Sequence, residues 1–115
     1  MLLADDDDDV ARVFTRALEA RGYKVRRART GGEALALIAG LTQLDAAIVD
    51  LVLPGAGGLD IVRDLRRAFP MCRIVAVTGM DEPVMARAFT DAGADMFLPK
   101  PVEMSRLLDA ISSPR

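Results

Sequence analysis

The chain predicts an α/β fold: a doubly wound parallel sheet of five strands, with helices on both faces. Three observations carry that prediction. Two kinds of hydrophobic periodicity alternate along the chain, the central apolar runs are short and unbroken, and the connections are a few residues each. Strict strand–helix alternation makes neighbouring strands parallel, and right-handed crossovers distribute the helices over the sheet.

The elements follow in order. "MLLA" is a very short first strand that runs directly into Asp5, Asp6, Asp7, Asp8 and Asp9. "VARVFTRALEARG" puts Val10, Val13, Phe14, Ala17 and Leu18 on one helical stripe, which Gly22 ends. "YKVRRA" alternates as a strand, and "GGEALALIAGL" sets Ala34, Leu35, Ile38 and Leu41 on a second helical face. "DAAIVD" and "RIVAVTG" are apolar runs ending in polar residues, the pattern of strands buried on both faces. Between them, "LDIVRDLRRAFP" aligns Ile61, Leu65, Ala68 and Phe69 and closes at Pro70. "EPVMARAFTDAGA" is a fourth helix, with Pro83 in its first turn and Gly93 after its end. "DMFLPKP" is the last strand and "VEMSRLLDAI" the last helix.

Composition narrows the function classes. The 115 residues make one domain, 1–115, and 51% hydrophobic with 28% charged residues is a globular balance. No apolar run approaches the roughly 20 residues that span a bilayer, and five acids stand where a signal peptide would need its apolar region. The lone Cys72 excludes an internal disulfide, so a cytoplasmic protein is the simplest expectation. Net charge is −2, and since the Asp run carries five acids, the remainder is basic by three. No basic stretch exceeds Arg26-Arg27 and aromatics are few, which gives no nucleic-acid footprint. The absence of histidine removes histidine catalysis, histidine metal ligands and a phosphohistidine.

In open α/β sheets the functional crevice lies at the carboxyl ends of the strands. Asp5 and Asp6 follow the first strand there, Asp50 ends the third, Thr78 the fourth and Lys100 the fifth. Crowded carboxylates need a cation, and an all-oxygen site suits Mg²⁺. Three carboxylate charges are balanced by one divalent metal and one ammonium. Such a site can accept a phosphoryl group: metal and Lys100 share its oxygens, Thr78 donates a hydrogen bond, and one carboxylate is the nucleophile.

These residues resemble the receiver domain of two-component response regulators, the chemotaxis-regulator-like family. The resemblance rests on the acidic pair after the first strand, "VDLVLPGAGG", "VTG" and "FLPKP", and it covers essentially the whole chain. It implies a flavodoxin-like (βα)5 sandwich with sheet order 2-1-3-4-5. It also implies that Asp50 is the phosphoacceptor, followed by the expected Pro54, and that Asp5, Asp6 and the backbone carbonyl of Val52 join Asp50 in holding Mg²⁺. Thr78 is then the switch hydroxyl, Lys100 the phosphate-binding lysine in a cis bond to Pro101, and Phe97 the mobile aromatic. The implied donor is a histidine kinase or histidine phosphotransfer protein. The implied output is a partner protein, an output domain or a homodimer engaged through the fourth helix, fifth strand and fifth helix. Such a domain takes part in its own phosphorylation and is not a turnover enzyme.

Plainer readings attach to several residues. Asp7, Asp8 and Asp9 fall where the first helix begins and suit its free N–H groups and dipole, which places the functional boundary after Asp6. Asp6 is expected to ligate the metal directly and Asp5 partly through water. Cys72 is a small buried hydrophobe, "GAGG" at 55–58 lacks the ending of a phosphate loop, and Met80, Met85, Met96 and Met104 suit packing or an interface. A metal-dependent phosphohydrolase would want an acid–base group close after Asp50. A flavin binder would want aromatic stacking and a hydroxyl-rich first loop. A receiver-like module that is never phosphorylated stays open beside them. Two departures from the family pattern stand out. Asp8 replaces a frequent proline, so a looser entry to the first helix is expected. The minimal leader before the acids is expected to weaken that edge of the fold or to mark a piece of a longer chain. In similar domains the positions of Val52 and Met80 tune hydrolysis of the phosphoryl group, and apolar side chains there cannot orient an attacking water, so the resemblance implies slow self-dephosphorylation.

Overall fold

The computed structural model describes residues 1–53, 55, 57–79 and 83–112. Pro54, Ala56 of the "GAGG" stretch, Met80 and the side chain of Met85 lie outside them. The elements are β1 (Leu2–Ala4), α1 (Asp8–Ala20), β2 (Arg26–Ala28), α2 (Gly31–Gly40), β3 (Ala46–Asp50), α3 (Gly58–Ala68), β4 (Arg73–Thr78), α4 (Pro83–Ala92), β5 (Met96–Pro99) and α5 (Met104–Ser112). All strand pairs are parallel, in the order β2-β1-β3-β4-β5 that was expected.

Two hydrophobic cores cover the two faces of the sheet, and strand periodicity sorts residues between them. Leu2, Ala4, Ala47, Val49, Ile74 and Ala76 face one core, closed by Ile38 of α2, Ile61, Val62 and Leu65 of α3, and Phe89 of α4. Leu3, Ala46, Ile48, Val75 and Val77 face the other, closed by Ala11, Phe14 and Leu18 of α1 with Leu107, Ala110 and Ile111 of α5. A strand buried on both sides has no polar face, which is why β3 and β4 read as unbroken apolar runs.

Four local expectations change. "YKVRRA" contributes only Arg26–Ala28 as strand, because β1 offers just three residues to pair with. The α1 stripe is narrower and rotated: Ala11, Phe14 and Leu18 are buried while Val13 is 57% exposed. Val13 falls outside the side of α1 that packs on the sheet, although periodicity alone places it on the stripe. In α3, similarly, Val62 is buried and Ala68 is exposed. The short leader does not weaken an edge, since β1 lies between β2 and β3 with all three residues fully buried.

Termini and close approaches position the functional edge. Gly22 (φ +93°) sits just past α1, where its N–H bonds Glu19 O and that of Tyr23 bonds Leu18 O, a left-handed stop that suits glycine. Gly58 opens α3 so close to the end of β3 that a Cβ would lie 2.9 Å from the carbonyl oxygen of Asp50. At the opposite edge, Arg66 of α3 donates to the carbonyls of Gly93, Pro70 and Cys72 and to the Asp95 carboxylate, at 2.6–3.0 Å. It joins the loops before β4 and β5. Replacing Arg66 with Met would remove these hydrogen bonds and the ion pair with Asp95, and a loss of about 3 kcal/mol is expected. Urea unfolding checks it: the midpoint should fall with the slope unchanged.

Candidate functional site

The carboxyl ends of β1, β3, β4 and β5 meet at one rim, because parallel strands all end on the same side. Asp5, Asp6 and Asp50 each offer a carboxylate oxygen within 4.8 Å of the others. Asp5 and Asp50 are buried and Asp6 is exposed, so the cluster has two fixed walls and one open side. Lys100 Nζ lies 2.7 Å from Asp50 Oδ2 and 3.3 Å from Asp5 Oδ2, bridging the two buried acids. The other oxygens are held by backbone: Val52 N–H donates to Asp50 Oδ1 at 3.0 Å and Asp7 N–H to Asp5 Oδ1 at 2.9 Å.

Electrostatics follow from that packing. Burial raises the Asp5 pKa above the usual carboxylate value, only partly offset by the Asp7 N–H and Lys100. Burial also works to lower the Lys100 pKa, but the hydrogen bond to Asp50 and the charges of Asp50 and Asp5 outweigh it and raise the pKa. Three carboxylates face one ammonium here, so the charges of the cluster do not cancel. Three convergent carboxylates, one open to solvent, suit a hard divalent cation with retained waters.

Thr78 ends β4 fully buried, and its carbonyl accepts from Lys100 N–H. Lys100 is followed by a cis bond to Pro101. Phe97 is half-buried on β5, its ring 6.1 Å from that of Phe89 and inclined by 59°. The side chain of Val52 is 60% exposed at the mouth. Cys72 lies away from the rim, and burial pushes its thiol up to about 11, as befits an inert apolar position.

The remaining aspartates divide as their sequence position suggests. Asp7 is the N-cap of α1, accepting from the N–H groups of Asp9 and Val10. Asp9 pairs with Arg12 one turn on. The entry to α1 is not loose at Asp8: Arg27 on β2 donates to it at 2.7 Å, with Arg29 at 3.6 Å. The Arg27 hydrogen bond, then the nearby Arg29, holds the Asp8 carboxyl below its usual range. Sequence reasoning missed Arg27, because an arginine on an edge strand ordinarily reads as a solvated charge.

A family model described as response regulator receiver domain matches residues 1–112. The chain belongs to this family. Response regulator MprA of Mycobacterium sp. (strain KMS) is 39% identical over 94% of the chain and 46% of its own length. A response regulator from Burkholderia pseudomallei, solved with a phosphorylated aspartic acid, calcium ion and citrate, is 34% identical with a TM-score of 0.90, over 97% of this chain and 65% of its own. A CheY-like receiver domain protein from Methanospirillum hungatei JF-1 is 32% identical with a TM-score of 0.89, covering 96% and 87%. The receiver thus spans about half the length of the curated relatives it matches. Among the described residues, no helix is long and apolar enough to cross a membrane.

The raised pKa of Asp5 has a direct consequence for stability. The folded receiver binds that proton more tightly than the unfolded chain, so ionising Asp5 works against folding at neutral pH. Without divalent metal, Asp5→Asn should therefore melt higher than wild type at pH 7. The advantage should shrink as pH falls through the raised value toward 3.8, where both states become protonated. Thermal melts in chelator across that range check it.

Proposed function

We propose that this receiver accepts a phosphoryl group on Asp50 from a histidine kinase or histidine phosphotransfer protein and that the phosphorylated form re-shapes its α4–β5–α5 surface. The observation that carries the reading is the Lys100 bridge between Asp50 and Asp5 beside the exposed carboxylate of Asp6. The phosphorylated aspartic acid and calcium ion of the Burkholderia pseudomallei relative support an acceptor aspartate and a divalent cation.

An Asp50 carboxylate oxygen forms the new P–O bond while the donor's P–N bond breaks, and the imidazole leaves with the electron pair and takes up a proton. Val52 N–H and Lys100 orient the two oxygens, each of which keeps a free lone pair. As charge passes to the phosphoryl oxygens, Lys100 moves its contact from Asp50 to one of them and Thr78 offers its hydroxyl to another. Asp5, Asp6, Asp50 and the Val52 carbonyl would hold Mg²⁺, which supplies neutralisation of the phosphoryl charge when bound. An apolar groove of about 280 Å³ lined by Val10, Val13, Phe14, Pro101 and Val102 opens beside Lys100 and gives the donor a surface to settle on.

On the output side, the Thr78 shift frees space that Phe97 fills from its half-buried position against Phe89. That changes the face presented to an output domain, a separate partner or a second copy of the chain. Loss of the phosphoryl group is slow, because the exposed Val52 side chain offers no polar atom to an attacking water.

Incubation with Mg²⁺ and acetyl phosphate should add the mass of one phosphoryl group to the wild-type chain and none to Asp50→Asn. Absence of an adduct on wild type, with acetyl phosphate or a phosphorylated donor, would overturn the reading. Once formed, the adduct should outlast minutes at neutral pH, and Val52→Asn should shorten its lifetime severalfold, as followed by intact mass after the donor is removed.

A further inference from the structure

We propose that Arg27 is a positioning residue for the divalent cation: it clamps the acidic loop between β1 and α1 so that Asp5 and Asp6 converge on Asp50. The inference rests on the metal reading above and extends it to a residue that touches neither metal nor phosphate.

Arg27 pairs with Leu3 across the β1–β2 ladder and shares its face of the sheet, the α1 side. Its guanidinium therefore extends along β1 toward the loop that follows. Nε and Nη2 donate to the backbone carbonyl oxygen of Asp5 at 3.2 and 3.1 Å, and Nη1 donates to Asp8 Oδ1 at 2.7 Å. The Asp5 carbonyl belongs to the peptide plane that joins Asp5 to Asp6. Gripping that oxygen with two donors fixes the rotation of the plane, and with it the directions in which both carboxylates leave the chain. The Asp8 contact ties the same guanidinium to the first turn of α1, so the loop is held at both ends by one planar fork.

The need for such a clamp is physical. Five consecutive aspartates repel one another. Asp6 is exposed, so packing does not hold its carboxylate toward Asp50. Groups that orient ligands from behind commonly affect metal affinity by ~10–100-fold.

Charge and positioning predict opposite signs, which makes the proposal testable. Removing a cation near an acidic cluster would, by Coulomb's law alone, tighten Mg²⁺ binding. Loss of the clamp would weaken it. Arg27→Met keeps the aliphatic stem and removes both the charge and the three hydrogen bonds. Arg27→Lys keeps the charge, but its single nitrogen cannot reproduce the fork. Titration of ¹⁵N-labelled protein with MgCl₂ at constant ionic strength, followed at the Asp6 and Val52 amides by NMR, reads only the folded fraction. Both variants should bind Mg²⁺ about 10-fold more weakly than wild type. Arg27→Lys with wild-type affinity, or Arg27→Met with tighter binding, would overturn the clamp while leaving the metal reading intact. A wild-type chain with no Mg²⁺ response would overturn both.

Discussion

Asp5 and Asp50, both buried, share a single ammonium, and the organisation of the rim depends on that shared contact. Two carboxylates removed from water cannot sit side by side uncompensated. Lys100 reaches them from the end of β5, and in doing so it links the loops after β1, β3 and β5. Burial still outweighs that contact at Asp5, whose pKa stays above the usual carboxylate value. With Asp6 added, three carboxylates face one ammonium, and that excess of negative charge suits a divalent cation.

Everything beneath the rim keeps that contact in place. β1, β3 and β4 are packed on both faces, so their carboxyl ends cannot shift without disturbing two cores. Gly58 lets α3 begin against the carbonyl of Asp50, where any Cβ would crowd the end of β3. Arg66 performs the matching task at the opposite edge, binding the loops before β4 and β5 through carbonyls and Asp95. Both contacts are specific and polar or steric, whereas the cores between them are generic.

Legibility in the sequence varied with the range of the interaction. The order of elements was readable because periodicity is local, and the Asp run could be divided because capping acts within one turn, as Asp7 does. The buried stripe of α1 was misjudged at Val13, since which side of a helix is covered depends on what packs there; the covered side carries Ala11, Phe14 and Leu18. Arg27 and Arg66 were invisible as anything but charges, because their partners are backbone carbonyls that folding alone brings near. The expectation of a loose helix entry at Asp8 failed for the same reason: its restraint comes from a neighbouring strand.

By itself the sequence determined the alternating fold, its sheet order through family resemblance, and the identities of the groups at the strand ends. Those follow from residue type and from spacings of a few residues along the chain. Tertiary structure alone decided which oxygens face one another, that Lys100 serves two acids, and that the Asp5–Asp6 peptide is gripped from β2. Such geometry depends on distances between segments far apart in the chain, and no local pattern encodes a distance.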